Sequence, residues 1–244
     1  MSIALAPAAD PASPGSPPPW SFWRAHFERN RRRPLPPICD VAALPAAPAR
    51  ALAWSLARFQ IGETGEGRIV GSVARSRMAA IDDDYRCALA LFIAEEGRHA
   101  HVLALMVRAL GGRLLRGTWT ESLFVVARRL LGIRCKLMMM FAAEIVGIGF
   151  YSTLAAHLPR CPTRAALEQI AGDERAHLLF HRQFFALAAP GGWRRALFRA
   201  AWAVVAPAAA LAVLWDHRGT LRALGIPARG LRRRLFDLIR QGAR

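Results

Sequence analysis

Residues 94–101, AEEGRHAH, and residues 171–181, AGDERAHLLFH, decide how this chain is read. Each holds a Glu-x-x-His element, Glu96 with His99 and Glu174 with His177. On a helix, positions i and i+3 share a face, so the carboxylate and imidazole of each element can grip one metal ion together. Two such elements can hold two ions. Acidic residues are scarce nearby, which makes the remaining ones informative. Glu144 is the only acid between Glu121 and Glu168, and it sits in the apolar stretch LMMMFAAEIVGIGFYSTLAA, residues 137–156. An unpaired carboxylate buried there would cost several kcal/mol, so something must compensate it. Upstream, residues 59–67, FQIGETGEG, supply Glu63 and Glu66 one turn apart.

Helical periodicity predicts four long helices, at about 50–80, 83–110, 134–158 and 163–188, with almost no alternating strand signal. Asp82, Asp83 and Asp84 offer an N-cap for the second, and Gly111 and Gly112 end it. Pro159 and Pro162 bracket the turn into the fourth, with Thr163 as its cap. A shorter helix is expected over Thr120–Leu131. In an antiparallel helix pair, residues equally far from the turn lie at one level. Glu144 and Glu174 are each fifteen residues from Pro159. Glu63 and Glu96 have their midpoint between Ala79 and Ala80, just before the Asp82 cap, and Glu66 would move that midpoint only to Ile81. Single carboxylates and Glu-x-x-His elements therefore alternate over four helices at matching heights.

Around this region the chain changes character. Residues 1–49 are a Pro/Ala-rich tail that contains one short aromatic-basic helix, residues 20–33, with Trp20, Trp23 and Phe27 at helical spacing beside Arg24, Arg29 and Arg31–Arg33. That helix reads either as a cover laid over the main domain or as an interfacial anchor for anionic membrane. Residues 189–244 hold the uncharged run Ala200–Trp215, broken only by Pro207, and an Arg-rich terminal helix with Arg232, Arg233 and Arg234. Sixteen residues fall short of the ~20 that a span needs, so a packing or in-plane helix is expected.

Composition bounds the rest. With 244 residues, 54% of them hydrophobic, the chain can bury a sizeable core and is not intrinsically disordered. A formal charge of +17, nearly all arginine, favours anionic partners without choosing among them. Cys39, Cys87, Cys135 and Cys161 form no C-x-x-C pair, which excludes a zinc ribbon or thioredoxin-like motif. The opening MSIALAPAAD lacks a basic n-region, so a cytoplasmic location is expected, with membrane association left open.

Residues 50–188 resemble the ferritin-like di-iron carboxylate superfamily, which includes rubrerythrins, ubiquinone-pathway hydroxylases, tRNA hydroxylases and aldehyde-deformylating oxygenases. The resemblance implies an all-α, ferritin-like four-helix bundle with a crossover connection, here followed by extra C-terminal helices. Its metal ligands would be Glu63, Glu96, His99, Glu144, Glu174 and His177. Gly62-Glu63 is similar to the first ligand segment of rubrerythrins, which favours Glu63 and leaves Glu66 as the alternative. No rubredoxin-like cysteine module accompanies it. The acids preceding each element, Asp173 and Glu95, are implied to accept hydrogen bonds from the histidine of the opposite pair, His99 and His177 respectively. Tyr151 and His181 each follow a ligand by seven residues, on the metal-facing stripe. Either gates oxygen or relays protons, or is simply a core tyrosine and a capping histidine. Arg98 and Arg175 are expected to pair with neighbouring acids or with solvent.

The resemblance implies two Fe ions, with Mn/Fe or Mn/Mn as alternatives, and O2 as co-substrate. The expected activity is that of an O2-dependent non-haem di-iron oxygenase or oxidase (a monooxygenase among the options) acting on a small organic, lipophilic substrate. Phe92, Met140, Ile145, Ile148 and Phe150 would line its pocket, although at helical spacing they are equally what any bundle core requires. An electron donor, a peripheral membrane contact and a homodimer are compatible with this reading. Nucleic acid is not expected as a partner, because no aromatic platform interleaves with the arginines. The alternatives are tRNA hydroxylation and an iron-handling ferroxidase or peroxide scavenger. A metal-free membrane protein with spans at 137–158 and 200–215 would leave both Glu-x-x-His elements unexplained.

Overall fold

The computed structural model describes residues 18–36, 38, 44–64, 67–117 and 132–243. Among these residues the protein is helical throughout and has no strand. In chain order the helices are α1 (Trp20–Arg31), α2 (Ala46–Thr64), α3 (Arg68–Ala74), α4 (Asp83–Ala109), α5 (Ile133–His157), α6 (Pro162–Ala188), α7 (Gly192–Asp216), α8 (Arg218–Ala223) and α9 (Ala228–Gly242). The expected short helix over Thr120–Leu131, Glu66 and the first seventeen residues lie outside the described residues.

The helix ends follow local chemistry. Asp82 accepts a hydrogen bond from the Tyr85 amide at 2.7 Å and so caps α4. At the other end Gly111 takes a left-handed φ of 71°, and the Gly112 amide reaches back to the Val107 carbonyl at 2.8 Å. Two expectations need correction. The segment 50–80 is not one helix: it divides into α2 and α3 around the glycine-rich GETGEG stretch, whose weak helix propensity favours a break. Helix α6 starts at Pro162, whose missing N–H costs nothing in a first turn, so Cys161 holds the cap position and Thr163 is buried inside that turn.

Helices α2 and α4 form one closely packed pair, and α5 and α6 the other. A methyl group on Gly112, just beyond α4, would meet Ala53 of α2 at 2.7 Å, and Phe141 of α5 stacks on Phe185 of α6. The two pairs meet through a large aromatic core in which Tyr85 of α4 stacks on Phe180 and Phe184 of α6, and Phe59 of α2 stacks on Phe150 of α5. Phe92, Met140, Ile145, Ile148 and Phe150, expected to line a pocket, are all buried in this core.

Helix α1 runs alongside α4. Arg24 pairs with Asp84 at 2.7 Å, and Asn30 reaches Glu95 at 3.4 Å. Its aromatic face is buried: Trp20 and Phe27 pack on Phe180, and the Trp23 indole donates to Gln183 at 2.8 Å. The aromatic-basic segment is therefore a cover over the bundle, and its aromatic residues do not face outward as an anchor.

Helix α9 closes onto α5 at a glycine. A methyl group on Gly149 would come within 2.4 Å of Leu235, which is itself fully buried. Replacing Gly149 with Ala gains about 1 kcal/mol of helix propensity, but overpacking costs about 1–3 kcal/mol. Because Leu235 has no solvent to swing into, the clash should win. Urea unfolding of Gly149→Ala is expected to show a net loss of up to about 2 kcal/mol.

Candidate metal centre

Four helices deliver six side chains to one place. Glu63 ends α2, Glu96 and His99 share one face of α4, Glu144 comes from the middle of α5, and Glu174 and His177 come from α6. Ligand atoms of Glu96, His99, Glu174 and His177 all lie within 4.8 Å of one another, and all four residues are buried. The His177 Nδ1 atom is 2.8 Å from Glu96, 3.1 Å from Glu174 and 3.5 Å from Glu144. The His99 Nδ1 atom is 3.1 Å from Glu174 and 3.8 Å from Glu96. Glu144, buried in α5 as its surroundings required, faces this cluster. Glu63 is half-buried at the rim as a whole residue, but its carboxyl is enclosed, and there Tyr151 donates to its Oε1 at 2.6 Å.

Both imidazoles turn Nδ1 inward and Nε2 outward. Outside, the His99 Nε2 meets Asp173 at 3.2 Å and the His177 Nε2 meets Glu95 at 3.1 Å. The acid before each Glu-x-x-His thus holds the histidine of the opposite pair. An Nε2–H donated to a carboxylate leaves a lone pair on the inward Nδ1, which is the form a metal needs.

A residue invisible to the sequence reading closes this outer ring. Arg33, just beyond α1, donates to Asp173 and lies 3.7 Å from Glu95, so one guanidinium serves both acids. Arg98 holds that segment in place by donating to the Arg31 and Arg33 carbonyls. Arg175 donates to the Ala171 carbonyl and to Ser152. Both arginines therefore bind backbone or hydroxyl oxygen, where pairing with acids or with solvent was expected. Nothing in an N-terminal arginine run distinguishes Arg33 from its solvated neighbours; the only available hint was two buried acids, Glu95 and Asp173, without a cation of their own.

The electrostatics describe a cluster short of positive charge. Burial, aided by Glu96 and Glu174, pushes the Glu63 carboxyl well up, and burial beside Glu174 and Glu96 does the same to Glu144. Burial would also raise Glu174, but the neighbouring Glu144, His177 and His99 outweigh it and hold Glu174 well down. Burial opposes charge on His99, yet Asp173 and Glu174 raise it to about 10. His177 is raised well above its ordinary value because Glu96, Glu144, Glu174 and Glu95 overcome its burial. Burial pushes the Tyr151 hydroxyl well up, so it keeps its proton as a donor to Glu63.

The donor set fits a pair of divalent cations. Buried Glu96 Oε1, His99 Nδ1 and Glu174 Oε1 have no hydrogen-bond partner, a costly arrangement for a site with no other ligand. Four carboxylates, Glu63, Glu96, Glu144 and Glu174, match the charge of two such ions, and carboxylate with neutral imidazole suits iron or manganese.

His181 adds an unassigned group. It is fully buried, both ring nitrogens lack a hydrogen-bond partner, and its Nε2 is 3.7 Å from Glu144. Burial lowers its pKa to about 3, so the ring stays neutral among Phe92, Phe141 and Phe180. It is not a capping histidine.

Two measurements probe this geometry. Asp173→Asn should weaken metal binding about 10–100-fold by loosening the His99 ring, read by competition with a chelating dye. The pH dependence carries a definite sign. His99 is raised in the folded state, so its contribution to stability is complete below 6.5 and is lost as pH rises through about 10. The raised carboxyls of Glu63 and Glu144 act in the same sense, because the unfolded chain ionises first. Metal binding needs deprotonated ligands and runs the other way. Thermal melts of chelator-treated protein should fall from pH 6.5 towards 10, while the stabilisation by added Mn(II) grows. No protein family, curated protein or solved structure matches this chain, so its own geometry carries the reading of the centre.

Proposed function

We propose that the chain is a ferritin-like di-iron protein acting as an O2-dependent oxidoreductase on a lipophilic organic substrate. The observation that carries this reading is the inward pair of Nδ1 atoms facing four carboxylates, with each outward Nε2 held by an acid. Helix direction supports the ferritin-like topology. Helix α6 is antiparallel to α4, since Tyr85 packs on Phe184 while His99 meets Asp173, and it is also antiparallel to α5, since Phe141 packs on Phe185 while Ser152 meets Arg175. Helices α4 and α5 then run the same way, the relative direction that a crossover topology calls for.

Glu63, Glu96, His99, Glu144, Glu174 and His177 would hold the metal, with His181 as a further neutral donor on the Glu144 side. Two iron(II) ions bound there would supply O2 activation, chemistry that belongs to the cofactor. The chain's own residues set its conditions. Asp173 and Glu95 fix both imidazole tautomers, His99 and Arg33 hold the Asp173 carboxyl below its ordinary value, and Arg33 also lies 3.7 Å from Glu95. Tyr151 holds a proton at the hydroxyl facing Glu63, where it can follow changes in that carboxylate's charge. Phe92, Phe141, Ile145 and Ile148 exclude water and give an apolar substrate a compatible surface.

Metal analysis and the optical spectrum of aerobically purified protein test this reading beside a Glu144→Ala Glu174→Ala variant. About two irons per chain are expected, with near-ultraviolet oxo-bridge absorption that the variant loses. No bound metal after iron reconstitution, or unchanged binding in the variant, would overturn the reading. Iron oxidation coupled to O2 or peroxide, with no effect of any lipophilic compound on turnover, would select the iron-handling alternative instead.

A further inference from the structure

Helix α7 presents a second apolar face that nothing among the described residues covers. Trp202, Ala206, Ala209 and Ala210 are buried against the bundle, where the Trp202 indole stacks on Phe141 and donates to the Ile239 carbonyl. At 3.6 residues per turn, Trp193, Leu197, Ala200, Val204, Ala208, Leu211 and Trp215 fall within about 80° of arc on the opposite side. All seven are exposed, and the five large ones show 56% to 69% of their surface. The stripe contains no polar residue and runs for about 33 Å. Only 17% of the most apolar window of α7 is buried, against 89% for the comparably apolar α5. A soluble monomer rarely leaves an apolar surface this continuous in water.

Its borders identify the occupant. Each end of the stripe is a tryptophan with an arginine on it: the Arg194 guanidinium lies 5.6 Å from the Trp193 ring, and that of Arg218 lies 4.0 Å from the Trp215 ring. Beside Trp215 opens a groove of about 570 Å³ lined by Trp54, Asp216, Arg218, Thr220 and Arg222, in which Asp216 is already paired with Arg58 at 3.3 Å. Tryptophan and arginine bordering an apolar face suit the depth where acyl chains give way to phosphates. With 34 basic against 17 acidic side chains, a second copy would bring like charge to these borders, whereas an anionic bilayer relieves it. A span is excluded by the neighbours. Arg199 is exposed within α7, and Arg240 is exposed on α9 next to the Ile239 that holds Trp202, so both would sit in hydrocarbon.

We propose that α7 lies in the plane of an anionic membrane, with the Trp193–Trp215 stripe sunk to the acyl boundary and Arg194, Arg218 and Arg222 on lipid phosphates. The metal centre is not needed for this contact. The full chain should float with vesicles of equal parts phosphatidylcholine and phosphatidylglycerol, bind phosphatidylcholine alone weakly, and detach as salt rises. Tryptophan emission should shift to the blue on binding. Val204→Asp Leu211→Asp, at exposed positions, should retain helical circular dichroism and lose binding by more than about tenfold. Arg218→Gln Arg222→Gln, which leaves the stripe intact, should lose the preference for phosphatidylglycerol. The proposal is overturned if the wild type ignores the mixed vesicles at low salt, or if both variants bind as it does. It is equally overturned if the wild type is a dimer that Val204→Asp Leu211→Asp dissociates and neither binds vesicles, since the stripe then belongs to a second copy. Repeating the flotation with chelator separates the two readings: loss of metal should leave vesicle binding unchanged.

Discussion

Charge buried in an apolar bundle is the constraint on which the rest of the molecule depends. Glu96, Glu144 and Glu174 are taken from water and set together with Glu63 at the rim, where mutual repulsion adds to desolvation. No side chain in the inner cluster carries a permanent positive charge. Compensation must come from protons or from metal ions, and the residues around the cluster are arranged so that the imidazole protons sit outside. Asp173 and Glu95 do this by holding Nε2 of His99 and His177. Those acids are themselves buried and in turn need Arg33, and the Arg33 segment needs Arg98 to hold its carbonyls. Each layer exists because the layer inside it would otherwise be unpaired.

This explains why an N-terminal segment outside the four-helix core belongs to the centre. Helix α1 lays Phe27 against Phe92 and against the His177 ring, and its C-terminal end places Arg33 over the two outer acids. The same helix therefore shields one imidazole from water and completes the outer charge balance. Without it, Asp173 and Glu95 would face solvent or stay buried unpaired, and the tautomers they impose would be less secure.

The inner cluster was legible in the sequence because its rules are local and periodic. Spacing of three residues fixes one face of a helix, and equal distance from a turn fixes the level at which two helices meet; together these place Glu96, His99, Glu144, Glu174, His177 and Glu63 in one volume. The outer ring was only half legible. Asp173 and Glu95 stand next to the ligands and follow from the same periodicity, whereas Arg33 reaches Asp173 across 140 positions. An arginine in a basic run has the same local pattern whether it is solvated or aimed at a buried acid. The break between α2 and α3 was hidden for another reason: apolar periodicity continues through residues 50–80, and only the glycines of GETGEG mark the interruption.

Helices α1 and α7 show why composition alone could not say which aromatic segment turns outward. Both carry tryptophan with nearby arginine. In α1 the aromatic residues occupy one face, and Arg24, Glu28 and Arg31 take up the other, so there is a single apolar face and the bundle has it. A helix apolar all round is normally buried all round, as α5 is with Glu144 at its centre. Helix α7 is apolar on two opposite faces, yet the described residues of the bundle cover only one. The distinction lies in the number of apolar faces relative to the number of neighbours, a property of packing that hydropathy does not contain. What points to an occupant outside the bundle is therefore the face of α7 that the described residues leave in water, and not the hydropathy of the helix.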